Sequence, residues 1–499
     1  MGTKSLSCDD GRLIGRRRLL LAAPAALGAA AISPALTRPS SSTGYFRVKI
    51  LSINPPRFSV LADLPIDGDR LTMSDSYPAE LPPMASGGWP TLISALIATD
   101  ASGLTVELIR DKDRGWRLTR KVLGHIQLNY VVDFTIFADA GWPSSLESAA
   151  ADEDHVAISA RALFLTTDKV QAADIRFELP SRWQVAAPWP ASPISRAYRA
   201  SSKIDFTDNF VVFFTRPVDV VTAAGFRLQV ATMGHWTKLT PLVRDTLQAI
   251  VTREVALMGY QQREAYNVVL VPMQDTGGEA YRQSFVYAFK DPTEANRGDW
   301  ANTMAHEIFH YWNYARLQGA DYASTQWFQE GFTEYVANLT VVGGGIITPT
   351  AFREKLAGHV ANYRRLTTTL EAIGTHKGPP LYSAGALVAF TFDVMIRKAT
   401  VNRLNIGSFF RNFWRYTNGG DRKYAWPDIE ASLRGTVPLD WRGFYEHHIK
   451  GNEPLPLDRA FKDAGLLLQS GGDSSPGVLM NPDATPSQKL LWKRLISGD

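Results

Sequence analysis

Cysteine is almost absent: Cys8 is the only one in 499 residues, so no pair exists to form an internal disulfide. Charge is nearly balanced, 53 Lys and Arg against 49 Asp and Glu for a net +4. Dense basic runs are missing outside the extreme N-terminus, which argues against a nucleic-acid surface. No phosphate loop is present. Gly343-Gly344-Gly345 lacks the strand, lysine and helix context of one and reads as a turn. The apolar run Leu19–Ile32 is too short for a comfortable membrane span. Histidine is scarce, nine in all, so its placement carries weight. What the chain does have is 45% hydrophobic and 20% charged residues, the balance of a soluble multidomain protein with more than one core.

Residues 1–35 read as an export signal. Arg16-Arg17-Arg18 precedes the apolar run, and small residues around Ala31 and Ala35 suit a signal peptidase. Paired arginines before two leucines resemble a twin-arginine signal. The expected location is periplasmic or secreted, with no stable membrane insertion after signal removal; an uncleaved anchor is the alternative. Cys8 lies on the wrong side of the run for a lipoprotein anchor. A Ser/Pro-rich linker, Pro39–Thr43, follows. Residues 44–233 are strand-like: Phe46–Leu51, Leu104–Ile109 and Ala157–Leu165 alternate or run apolar between Pro and Gly clusters. They predict a β-sandwich-like domain without catalytic residues. Its His125 and His155 have no ligand spacing and read as surface or packing residues.

From about residue 236 the pattern changes. Thr240 as a cap and Pro241 in the first turn predict a helix start. Leu242, Val243, Leu247, Ile250, Val251 and Val255 form its apolar stripe, and Gly259 ends it. Asn267–Val271 and Gln283–Phe289 read as strands. Then comes Met304-Ala-His-Glu-Ile-Phe-His-Tyr-Trp-Asn313. On a helix, His306 and His310 share a face. They can close on one metal ion while Glu307 flanks them, the HExxH arrangement of a zinc hydrolase. Zinc held by two histidines needs a third ligand and an open position. Glu330, in Trp327-Phe-Gln-Glu-Gly-Phe-Thr-Glu-Tyr335, follows His310 by enough residues for a turn near Gly319 and Asp321 and a returning helix. Glu334 lies one turn further on the same face. It is the expected carboxylate partner of a ligating imidazole, His306 above all; a solvated helix carboxylate is the alternative.

These two motifs resemble those of a gluzincin metallopeptidase, specifically the glycyl aminopeptidase family whose members often carry a PDZ domain. Leu381-Tyr-Ser-Ala-Gly-Ala-Leu-Val-Ala389 with Asp393 and Ile396-Arg397, Gly451-Asn-Glu-Pro-Leu-Pro456, Ala464-Gly465-Leu466 and, less sharply, Glu178-Leu-Pro-Ser-Arg-Trp183 support it. The resemblance covers roughly residues 45 to 470. It implies that Tyr382 donates to the oxyanion of the tetrahedral intermediate, with His376 as a rival donor. It also implies an edge strand before the zinc helix that pairs with the substrate backbone. Three departures stand out. Ala384 replaces a usual lysine. Glu279, in Gly277-Gly-Glu-Ala-Tyr-Arg-Gln-Ser284, falls one position before the glutamate that in related aminopeptidases holds the substrate's free amine. A one-residue slip turns a strand side chain to the opposite face, which leaves endopeptidase action open. No PDZ-sized segment follows the catalytic region.

Beyond Glu334 the pattern is helical, with pieces at Gly385–Arg397, Ile406–Tyr416, Trp426–Leu433 and Trp441–Ile449. Phe409, Phe413 and Trp414 mark a core, and the adjacent His447 and His448 make a poor joint metal site. The reading is an α+β multidomain protein: a β-sandwich-like domain over 44–233, a thermolysin-like zinc domain over 236–345, a C-terminal helical domain over 346–470 and a loose tail over 471–499. The expected function is peptide hydrolysis with one Zn2+, held by His306, His310 and Glu330, with Glu307 as base and aminopeptidase action on exported or extracellular peptides. A zinc endopeptidase or a non-catalytic peptide-binding protein on the same scaffold are the alternatives.

Overall fold

Alternation of apolar and polar residues builds the N-terminal half into two sheets that share one core. The computed structural model describes residues 42–79, 84–112, 114–140, 147–259, 265–273, 276–375, 378–469 and 476–498. The segment read as an export signal and His376 lie outside them. Among the described residues, an eight-stranded sheet runs in the order Ala197–Ala200, Ala172–Glu178, Thr43–Ile53, Pro56–Thr72, Gly115–Asp133, Ile93–Asp100 and Thr105–Val106, with Leu108–Asp111 pairing off Gly115–Asp133. Its inner face meets a four-stranded sheet ordered Gln184–Ala186, Phe210–Phe214, His155–Ser159 and Ala149–Ala151. Phe46, Val60 and Leu128 from the first share a cluster with Val156, Ile158 and Phe213 from the second, so one face of each sheet is removed from water. The other face of the four-stranded sheet contributes Phe210, Val212 and Phe214 to a cluster with Val269, Val271 and Val286 of the next layer.

That next layer is a five-stranded sheet, ordered Asp219–Ala223, Phe226–Thr232, Ala265–Val271, Ser284–Ala288 and Gly277–Ala280. Its three middle strands are parallel, and Gly277–Ala280 runs antiparallel along one edge. The hairpin Asp219–Thr232 was expected in the N-terminal domain, yet it belongs to this sheet. The strand Phe226–Thr232 connects to Ala265–Val271 through the helix Thr240–Met258, whose Val243, Leu247, Ile250, Val251 and Val255 are buried. Gly259 ends it at φ 63°, a left-handed cap glycine adopts without steric cost. Thr240 does not cap the start. It is the first helical residue after a 3-10 turn, and its hydroxyl bonds Thr237 and Thr232 instead.

Two other readings need correction. Ala157–Leu165 is not one strand: it leaves the sheet after Ser159 and forms a helical turn, Ala160–Leu163. Residues 471–499 are not a loose tail. Gly477–Met480 pairs with Leu466–Gln469, and Pro486–Ser497 is a helix with a Thr485 capping box. Leu491, Trp492 and Leu495 are buried there, and Trp492 stacks on Phe352. The polar composition averaged over the tail hid this short amphipathic segment. Nor does a core boundary fall at 345/346: one cluster runs from Val221 to Leu495.

The helices that carry the site cross at glycines. Tyr322–Gly343 starts on Asp321, whose carboxylate accepts from the Ser324 amide at 3.0 Å, a cap worth about 1 kcal/mol. It packs against Pro379–Ala399, which opens with two prolines in the first turn. At the crossing, a Cβ on Gly331 would lie 2.1 Å from the Gly385 Cα, and one on Gly385 would lie 2.0 Å from the Trp327 carbonyl. Backbone touches backbone, which fixes the Glu330 helix against the Tyr382 helix. The latter is long and apolar enough to cross a membrane but is largely buried in the core.

Candidate active site

The helix Arg297–Phe309 ends at its own second histidine, with His310 as C-cap. His306 and His310 lie one turn apart with ring centroids 4.6 Å from each other. Their Nε2 atoms approach to 3.0 Å, and Glu330 Oε2 lies 3.2 Å from the first and 3.4 Å from the second. The outer nitrogens settle what these atoms are. His306 Nδ1 donates to Glu334 Oε2 at 3.1 Å, and His310 Nδ1 donates to the Asn313 carbonyl at 3.2 Å. With Nδ1 engaged outward, each neutral imidazole turns its Nε2 lone pair toward the Glu330 oxygen, the donor set that a metal ion takes; without an ion, protons on the imidazoles fill the same gap. A tetrahedral zinc with ligand bonds near 2 Å separates its ligands by about 3.3 Å, close to the spacing seen. Among the described residues this is the one His/Cys/Asp/Glu group gathered tightly enough to hold a metal.

The electrostatics agree. Burial opposes charge on Glu330, yet His310 and His306 hold its carboxyl far below the usual range. Burial opposes charge on His306 too, but Glu330 and Glu334 prevail and raise it to about 10. The field at the three atoms favours added positive charge.

Asn313 links the two zinc-motif helices. Fully buried, its side-chain amide donates to the Phe328 and Gln329 carbonyls and to Thr333, so the turn after His310 positions Glu330. Behind His306, Glu334 accepts from Asn302 at 3.1 Å and Asn338 at 2.7 Å. His359 continues the network from Asn338 to Ser383, next to Tyr382. Asn302, four before His306, and Asn338, four after Glu334, lie on the same helical faces as the motifs, a spacing that could have found them; His359 comes from a separate helix and carries no such signal.

A cavity of about 410 Å³ opens on the ligand atoms and is lined by Glu307, Tyr382, Tyr314, Tyr322 and Glu279 among others. A larger one, about 1020 Å³, lies against Trp189 and Tyr198 and contains none of these residues. Glu307 is buried, which raises its pKa against the pull of His306 and His310. Tyr382 sits with its ring 5.7 Å from that of His306. Burial, with Glu330 and Glu307, raises its pKa further, so the phenol keeps its proton. Ala384, in place of the usual lysine, is fully buried. The edge strand Gly277–Ala280 forms one wall. A Cβ on Gly278 would lie 2.3 Å from Glu307 Oε1, so any larger residue there requires the Glu307 side chain to move. Gly278→Ala is expected to push the Glu307 carboxylate aside and lower kcat by about ten-fold or more, with zinc content unchanged. Wild-type kcat in the zinc-loaded variant would refute this.

Glu279 lines the cavity despite its shift in sequence. Strand alternation turns Gly278 to the zinc helix and Glu279 to the side where Arg161 approaches to 3.6 Å. Arg161 comes from the N-terminal half, where the sequence offered no site residue. His125 and His155 pair with Asp63 and Asp152. His447 pairs with Glu453 through its side chain.

Two family profiles match the chain: M61 glycyl aminopeptidase over residues 299–372, and the Peptidase M61 N-terminal domain over residues 88–210. The chain is a metallopeptidase similar over these segments to the M61 glycyl aminopeptidases. No functionally curated protein matched it in sequence. Among solved structures, the metallopeptidase resembles an aminopeptidase N family protein from Idiomarina loihiensis, with TM-score 0.70 and 17% identity over 85% of this chain and 79% of that one. It also resembles an M1 zinc metallopeptidase from Deinococcus radiodurans, with TM-score 0.54 and 12% identity over 83% and 95%. A variant from the same organism, bound to a Tyr-Ser-Ala substrate, gives 0.52 and 14% over the same shares. These likenesses establish a shared fold: an N-terminal sheet domain followed by an α/β and helical region.

Proposed function

We propose that the metallopeptidase is a zinc aminopeptidase that removes residues from the free N-termini of peptides. The convergence of His306, His310 and Glu330 beside Glu307, in a cavity walled by an edge strand, carries this reading. Zinc, when bound by these three residues, lowers the pKa of a water and polarises a carbonyl. Glu307 takes the proton of the attacking water and returns it to the leaving amine. Tyr382 donates its phenolic proton in a hydrogen bond to the oxyanion. The edge strand Gly277–Ala280 aligns the substrate backbone by main-chain hydrogen bonds, and Glu279 accepts from the substrate's ammonium group.

The decisive comparison uses one amino-acyl anilide and its N-acetyl counterpart, each with and without chelator. The expected result is chelator-sensitive hydrolysis of the free-amine compound and at least about ten-fold weaker action on the acetylated one, the worth of one charged hydrogen bond. Equal rates on both would favour an endopeptidase. The substrates are expected outside the cytoplasm, in keeping with the twin-arginine-like Arg16-Arg17 pair. Retention of the whole protein in the cytoplasmic fraction would contradict this placement.

A further inference from the structure

Arg161 is a buried cation with no part in the chemistry above. It lies in the helical turn Ala160–Leu163, which leaves the four-stranded sheet after Ser159, and is only 4% exposed. One edge of its guanidinium is locked: Nη2 lies 2.6 Å from Asp208 Oδ1, and Nε donates to the same oxygen at 2.8 Å. The face lies over the Tyr281 ring at 4.5 Å. The remaining nitrogen, Nη1, is buried without a hydrogen-bond partner. It sits 3.6 Å from Glu279 Oε1 and 3.8 Å from Glu147 Oε2, within ion-pair range but too far for a direct hydrogen bond.

This arrangement is uneven. One fixed cation faces three carboxyl groups, Asp208, Glu147 and Glu279. Burial raises the pKa of Glu279 to about 8 against the pull of Arg161, with Glu147 and Glu307 adding to the rise, so Arg161 is the contact that opposes its protonation. The backbone ties the same elements together. The Arg282 amide donates to the Asp208 carbonyl at 3.0 Å, and the Gln283 amide to Asn209 Oδ1 at 2.8 Å. The turn that follows Glu279 is thereby anchored to the segment that holds Arg161's partner. A guanidinium used only to fill the interior would be hydrogen-bonded on both edges; this one is bonded on one edge and aims the other at Glu279.

We propose that Arg161 is a positioning residue that aims Glu279 and favours its ionised form as the anchor for the substrate's α-ammonium, and so sets the preference for peptides with a free N-terminus. The proposal rests on the aminopeptidase reading above. Arginine is required because a lysine at this position cannot grip Asp208 by two nitrogens and still present a third to Glu279.

The test uses the full, zinc-loaded chain with R161M and R161K, and the same anilide in free and N-acetyl form. R161M should raise KM for the free-amine substrate by about ten-fold and R161K by about three-fold, the scale of one weakened charged contact. kcat and zinc stoichiometry should stay near wild type, and action on the acetylated substrate should not change. A purely structural role would lower both substrates alike. If R161M does not fold, R161K decides by the same comparison. Wild-type discrimination that survives in the folded variants, or an equal loss on both substrates, overturns the role of Arg161 alone. A wild-type enzyme without preference for the free amine overturns the aminopeptidase reading, and this proposal with it.

Discussion

Glu307→Gln is expected to retain zinc and lose kcat by about three orders of magnitude, within the range carried by a positioned acid–base group. The carboxylate is buried beside the ligand atoms and touches the edge strand at Gly278. An amide of the same shape fills the same space, so the strand and the ligands are not disturbed. It cannot take a proton from water at neutral pH, and this is the one property removed. KM should move little, because the side chain acts on the attacking water more than on bound substrate. Metal analysis of the purified variant, beside its turnover, separates the two effects. A variant with full zinc and parental turnover would assign the base elsewhere.

Glu330→Ala should release the metal. Its Oε2 is one of three converging atoms and supplies the only negative charge among them. Loss of an outer partner already costs ten- to a hundred-fold in metal affinity, so loss of a ligand is expected to cost more than about a hundred-fold. Glu334→Gln is the control. It leaves the ligand set intact and loosens His306, so it should weaken affinity by the smaller factor. Dialysis against graded chelator followed by metal analysis ranks the three proteins. Equal retention by wild type and Glu330→Ala would remove Glu330 from the ligand set.

Local order was the legible part of the chain. His306 and His310 had to share a face because a helix repeats every 3.6 residues, and the structure brings their Nε2 atoms to 3.0 Å. Gly259 was readable as a helix end because its backbone conformation excludes most other residues. Ile406–Tyr416 was readable as a helix whose aromatics face a core, and Phe409 and Phe413 are buried there. The tail was misread by composition averaged over a window longer than the helix it contains.

The candidate metal site itself was written in one dimension: two imidazoles and a glutamate at helical spacing, and a second helix with carboxylates one turn apart. Such patterns need only neighbours along the chain, and neighbours are what a primary structure displays. The crossing at Gly331 and Gly385, the approach of Gly278 to Glu307, and the ion pair of Arg161 with Glu279 join segments 54, 29 and 118 positions apart. No periodicity spans those distances. They come about because apolar faces of separate layers exclude water together, and that packing alone chose which polar side chains would meet at the cavity.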